Sequence, residues 1–151
     1  MREVRIVKIV MGSDHAGYEL KEAIKEKLQN EGHEITDVGC YSTESVDYPK
    51  YGHAVGKAVA SGETERGIAI CGTGIGISIA ANKVPGVRAG LVTSVWQAEM
   101  TKAHNDANVL CMGGRVVDKE LAFEMVDAWM NTEFMGDKHL RRINELEDLD
   151  F

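Results

Sequence analysis

The chain has 151 residues, of which 44% are hydrophobic and 27% charged, with a formal net charge of −7. That length suits one domain spanning the whole chain, and surface scaling lets it bury about 68% of its unfolded surface. The composition excludes a disordered chain, and sixteen Gly beside two Pro without a G-X-Y period exclude a collagen-like one. No apolar run approaches the ~18 residues of a membrane span. An acidic chain is also a poor candidate for bulk electrostatic binding of nucleic acid. The first residues, MREVRIVKIVMG, lack the unbroken apolar stretch of a signal peptide. Cys40, Cys71 and Cys111 are an odd count with no CxxC or Cys/His metal spacing. A reduced, cytoplasmic setting without a disulfide framework or a metal site is therefore expected.

Apolar Arg5–Met11 predicts a first strand. Tyr18–Glu31 places Leu20, Ala23, Ile24 and Leu28 on one helical face and stops at Gly32. Glu34–Val38 reads as a second strand. Ser42–Tyr51 is turn-rich, and Tyr51–Ser61 reads as a helix. Arg66–Cys71 is a third strand, followed by a glycine-rich turn over Gly72–Gly76 and a helix over Ile77–Lys83. Val87–Val92 is a fourth strand, and Ser94–His104 a helix capped by Thr93 or Ser94. Val109–Met112 is a fifth strand. Asp118 is placed to cap a helix over Lys119–Asn131, whose Leu121, Met125, Val126 and Trp129 form a core stripe. The tail His139–Leu149 is helical in pattern, and the last ~15 residues are candidates to pack on a partner subunit. Strands alternating with helices predict an α/β fold, a doubly wound three-layer sandwich around a five-stranded parallel sheet.

In such sheets ligands bind beyond the C-terminal ends of the strands. The turn after the third strand, Cys71-Gly72-Thr73-Gly74-Ile75-Gly76, is the most informative loop. It is not a dinucleotide fingerprint, because G-x-G-x-x-G needs glycine where Ile77 stands. It is not a P-loop, since no Gly-Lys-Ser/Thr follows. A cysteine at a strand end before a helix N-terminus is favoured as a thiolate, which can serve as nucleophile, redox centre or general base. A small buried core residue is the other use of such a cysteine. Asp14 and His15 follow the first strand, where Asp14 could instead cap the next helix. His104 follows the fourth helix, where an imidazolium also suits the helix end. Lys138, His139, Arg141 and Arg142 form a basic cluster that is either a solvated face or a holder for an anion.

These residues fall into a pattern. Gly12-Ser13-Asp14-His15-Ala16-Gly17-Tyr18, Asp47-Tyr48-Pro49, Cys71 to Gly76 running into Ser78-Ile79-Ala80-Ala81-Asn82-Lys83, His104-Asn105-Asp106-Ala107-Asn108 and Gly114-Arg115-Val116-Val117 stand in that order. From about Ile6 to Arg142 the chain resembles the type B ribose-5-phosphate isomerases, within the wider group of ribose and galactose sugar-phosphate isomerases. The resemblance implies a Rossmann-like fold and a homodimer, or a dimer of dimers, with active sites at the subunit interface. It implies interconversion of ribose 5-phosphate and ribulose 5-phosphate through a cis-enediolate, with no cofactor. Under it Cys71 is the base, Thr73 and the N–H groups of Gly72, Gly74, Ile75 and Gly76 stabilise the oxyanion, and His104 opens the sugar ring. Asp14, His15 and Asn105 then meet the sugar, while Arg115, Lys138 and Arg142 hold the phosphate. The family pattern often reads Gly-Gly-Arg-His where this chain has Gly136-Asp137-Lys138-His139. Lys138 keeps the charge without the arginine fork, and Asp137 adds an opposing one. A six-carbon aldose 6-phosphate (galactose or allose) is the alternative substrate, and a non-catalytic sugar-phosphate sensor the alternative function.

Overall fold

The computed structural model describes residues 5–151. Strands β1 (Lys8–Ser13), β2 (Glu34–Asp37), β3 (Arg66–Cys71), β4 (Ala89–Leu91) and β5 (Val109–Gly113) form one parallel sheet in the order β2-β1-β3-β5-β4. The crossovers are α1 (Tyr18–Asn30), α2 (Tyr48–Ala60), α3 (Ile75–Asn82) and α4 (Val95–Ala103). Helices α5 (Lys119–Asn131) and α6 (Lys138–Glu147) follow the last strand.

Side chains alternate across the strands, as a twofold pleat requires. Ile9, Met11, Ile68, Ile70, Leu110 and Met112 face one way, onto Ile24 and Leu28 of α1, Ala98 of α4 and Met125, Val126 and Trp129 of α5. Val10, Ala69, Cys71, Val109 and Cys111 face the other way, onto Val55 and Val59 of α2 and Ile77 and Ala81 of α3. Both faces are covered, which is why the central strands read as unbroken apolar runs.

The differences from the sequence expectation lie at element ends. β1 begins three residues after Arg5 and runs on to Ser13, because Gly12 and Ser13 pair with Ala69 and Ile70 of β3. Helix α2 starts at Tyr48 rather than Tyr51, since Pro49 falls in the first turn, where an absent N–H is harmless. Helix α3 starts at Ile75 rather than Ile77. Gly74, at φ +81°, reverses the chain within one residue and becomes the N-cap. The Ser94 and Asp118 side chains cap α4 and α5, accepting the Gln97 and Leu121 N–H groups at 3.1 and 2.8 Å. Asp14 is not the cap of α1; that place is taken by Gly17. Among the described residues no helix is long and apolar enough to cross a membrane.

Candidate active site

Strand order reverses between β1 and β3, since the chain leaves β1 toward β2 and leaves β3 toward β5 and β4. The loops after β1 and β3 therefore flank the switch point at their C-terminal ends, where sheets of this kind bind their ligands. Asp14 lies on one side, buried, its Oδ1 accepting the Ala16 and Gly17 N–H groups at 3.0 and 3.1 Å. His15 is fixed beside it, with Nδ1 3.1 Å from the Val46 N–H that donates to it.

Cys71 ends β3 on the other side and is only 4% exposed. Its Sγ accepts the Gly74 N–H at 3.2 Å. The Ile75 N–H donates to Thr73 Oγ1 at 3.1 Å. Two donors of the expected oxyanion cradle are thus already engaged. The Gly72, Thr73 and Gly76 N–H groups have no hydrogen-bond partner among the described residues. Arg115, after β5, lays its guanidinium over Gly72: a Cβ there would stand 3.5 Å from a terminal guanidinium nitrogen. The Tyr48 ring lies over Gly76, where a Cβ would come within 2.6 Å of it. A side chain at position 72 would meet the arginine at ordinary contact distance, whereas at position 76 any Cβ would displace the tyrosine ring. Cys111, two residues before Gly113 on β5, shares the face of Cys71. Complete burial, and less so the neighbouring Cys71, push its thiol far above the usual range. Cys111 is therefore a core residue.

His104, Asn105, Lys138 and Arg142 lie elsewhere. His104 caps the C-terminus of α4 and precedes β5, so it sits at the N-terminal edge of the sheet. β5 alone sets the two edges about 13 Å apart. Helix α6 packs at that same edge. The His139 ring stacks on His104 with centroids 4.2 Å apart and planes 9° from parallel. His139 is buried, and its pKa is held below 6.5 by that burial, then by His104, Arg142 and Lys138, with Asp137 opposing. Lys138 and Arg142 are exposed beside this stack. One chain therefore brings together Asp14, His15, Cys71, Gly72, Thr73, Gly74, Ile75, Gly76 and Arg115 at one edge. It brings together His104, Asn105, Lys138 and Arg142 at the other.

Sequence reasoning missed several residues of this arrangement. Tyr48 stood in a recognised motif but had no role until its ring was seen over Gly76. Lys21 is wholly buried on α1, and its Nζ donates to both carboxylate oxygens of Asp37 at 2.7 Å. Asp37 also accepts the Gly39 N–H at 2.9 Å and so anchors the loop that leads to Val46. No local pattern marks a pair 16 positions apart on different elements. Among the described residues no cluster of three or more His, Cys, Asp or Glu could hold a metal ion.

A buried thiol, unpaired backbone donors and an arginine meet at the C-terminal edge of a doubly wound sheet, the place where α/β enzymes of this class bind their ligands. Residues 9–146 match the family model described as Ribose/Galactose Isomerase. The chain is 47% identical to ribose-5-phosphate isomerase B of Escherichia coli, covering 92% of this chain and 93% of that one. The solved structure of Clostridium thermocellum ribose-5-phosphate isomerase B superposes with a TM-score of 0.92 at 52% identity, over 93% of this chain and 95% of that one. A D-erythrulose-4-phosphate isomerase of Mycolicibacterium smegmatis is 42% identical, over 85% of this chain and 86% of its own. The chain belongs to the ribose/galactose isomerase family and is an isomerase, an intramolecular oxidoreductase.

Proposed function

We propose that the protein interconverts ribose 5-phosphate and ribulose 5-phosphate in a site completed by a second copy of the chain. The observation that carries this reading is the separation of the functional residues onto opposite edges of the sheet. A sugar phosphate reaches both sets only if the N-terminal edge of one protomer covers the C-terminal edge of its partner. Exposed apolar residues at both edges support such a contact: Tyr48 and Ile75 near the Cys71 loop, Met135 and Leu140 near His104. The same contact would bring the C-terminal helix α6 onto the partner subunit. The cysteines are unpaired, which suits the reducing cytoplasmic setting.

The reaction begins at the ring. His104 of one protomer moves a proton from the C1 hydroxyl to the ring oxygen, the C1–O4 bond breaks, and an aldehyde forms. The Cys71 thiolate of the other protomer removes the C2 proton. The electron pair shifts into a C1–C2 double bond and the charge collects on O1, giving a cis-enediolate. The free Gly72, Thr73 and Gly76 N–H groups are the donors of this turn that could meet that charge, each such donor being worth roughly 3 kcal/mol. Return of the proton to C1, with the O2 proton passing to O1, leaves the ketose. Arg115 on one side and Lys138 and Arg142 on the other suit a phosphate dianion. Asp14, His15 and Asn105 suit the sugar hydroxyls. No cofactor enters this scheme.

Mixing tests both the chemistry and the shared site. Cys71→Ala and His104→Ala should each lose at least about a hundredfold in turnover. Denatured together and refolded, they should regain about a quarter of wild-type activity, because half the dimers carry one intact site. No regain overturns the two-chain site. A panel of four-, five- and six-carbon aldose phosphates checks the sugar, and faster turnover of a six-carbon substrate would replace ribose 5-phosphate.

A further inference from the structure

The His104–Asn105 turn is irregular; locally the Asp106 and Ala107 N–H groups donate back to the Lys102 and Thr101 carbonyls at 3.1 and 3.0 Å, which leaves the Asn105 and Asp106 carbonyls to be met from another element. Asp106 follows at φ +45°, a left-handed position unusual for a residue other than glycine. Those carbonyls are met by Arg88, just before β4. Arg88 Nε donates to the Asn105 carbonyl at 2.8 Å, and a terminal nitrogen donates to the Asp106 carbonyl at 3.1 Å. Its other terminal nitrogen lies 3.4 Å from Glu147 on α6. Its backbone N–H donates to Asn108 Oδ1 at 2.8 Å, and its carbonyl accepts the Asn108 N–H at 3.0 Å. Lys102 pairs with the Asp106 side chain from α4, at 2.5 Å. Arg88 also lines a cavity of about 230 Å³ with Asn82, Thr101, Asn105 and Leu146.

We propose that Arg88 is a positioning residue for the reaction, holding the His104–Asn105 turn and α6 as one body through its hydrogen bonds to the Asn105 and Asp106 carbonyls. The inference rests on the reading above, in which His104 opens the ring. The guanidinium is suited to this work because its donors diverge in one plane and reach two carbonyls and a carboxylate at once. An ammonium keeps the charge but cannot span that set. The turn carries a group that must meet a ring oxygen, and a displacement of about 1 Å at such a group costs up to about a hundredfold in rate. Asn82 strengthens the frame from below. Its side chain donates to the Ala89 carbonyl at 3.0 Å and accepts the Ala89 N–H at 2.8 Å, fixing the residue next to Arg88.

The test is Arg88→Lys, assayed in two ways. Turnover of ribose 5-phosphate requires ring opening. Exchange of the C1 hydrogen of ribulose 5-phosphate with deuterium oxide does not, because that ketose has no free C5 hydroxyl to close a furanose. With both substrates saturating, so that weaker binding through Asn105 or α6 does not enter, turnover should fall at least about tenfold, while C1 exchange stays within about threefold of wild type. Equal losses in both assays, or no loss in turnover, overturn the proposal. Arg88→Met repeats the comparison if the lysine variant does not fold, with the same outcomes decisive. Failure of the underlying reading looks different: His104→Ala would keep wild-type turnover of ribose 5-phosphate, and Arg88 would have no catalytic turn to position.

Discussion

The two edges of the sheet are built by different means. At the C-terminal edge the geometry is made by backbone. Gly74 turns the chain, the Asp14 carboxylate is held by N–H groups, and Cys71 receives an N–H from three residues on. At the N-terminal edge it is made by side chains that reach across elements: Arg88 to the Asn105 turn, His139 to His104, and Trp129 Nε1 to the Ala107 carbonyl at 3.0 Å. Backbone construction suits a site where charge develops, because amide dipoles are fixed before the substrate arrives. Side-chain construction suits a surface that, in the proposed function, fits onto another chain. The first kind fails when a Cβ is added; the second fails when a long side chain is removed.

The sharpest way to break the backbone-built edge is Gly74→Ala. Gly74 stands at φ +81°, and a Cβ there would come 2.6 Å from the Met112 carbonyl carbon and 2.9 Å from the Gly113 nitrogen. Both are backbone atoms of the central strand β5 and have little room to retreat. The left-handed conformation and the overlap together should cost more than about 3 kcal/mol in urea unfolding. Turnover should fall even in the folded fraction, because the Gly74 N–H that meets Cys71 Sγ moves with the loop. A variant of wild-type stability and turnover would show that this edge is more pliable than its contacts imply.

Lys21 and Asp37 are the exception at that edge, a side-chain pair anchoring a loop beside the switch point. Lys21→Met leaves the Asp37 carboxylate short of its main partner and should destabilise the protein by about 3 kcal/mol at neutral pH. The pH dependence follows from Asp37. Burial alone would raise its pKa. Hydrogen bonds from Lys21, the Gly39 N–H and Lys25 outweigh burial and hold it below its usual 3.8. A carboxylate held low contributes stability above its unfolded pKa and loses it as pH falls through the folded one. The gap between wild type and Lys21→Met should therefore narrow as pH drops below about 4. Thermal melts from pH 7 to pH 3 check this, and a constant gap would remove Asp37 as its source.

This division also explains what could be read from sequence. The order of elements, the caps at Ser94 and Asp118 and the Cys71–Gly76 turn were legible because each is written within a few neighbouring residues. The start of α3 at Ile75 was not. Its helical entry depends on Gly74 adopting a conformation that glycine permits but does not dictate. The placement of His104 opposite Cys71 followed from chain direction alone, once the sheet was known to be parallel. Arg88, Lys21 and Tyr48 were missed because their partners lie 17, 16 and 28 positions away and share no pattern with them.

The smallest expected effect lies where this chain departs from its family pattern. Asp137 takes φ +50° and ψ −125°, the first central position of a type II′ turn, and its side chain makes no capping bond to α6. Glycine occupies such a position without strain. Asp137→Gly should raise stability by about 1 kcal/mol, the relief of strain being partly offset by the greater freedom of glycine in the unfolded chain. It also removes the one neighbouring carboxylate that opposes the downward shift of His139, so the His139 imidazole should titrate lower still by NMR. Removing a negative charge beside Lys138 should lower the KM for sugar phosphate about twofold, with little change in kcat. A rise in KM would mean that Asp137 orders Lys138 rather than opposing it, and that the acidic residue tunes the phosphate end toward this protein's own substrate.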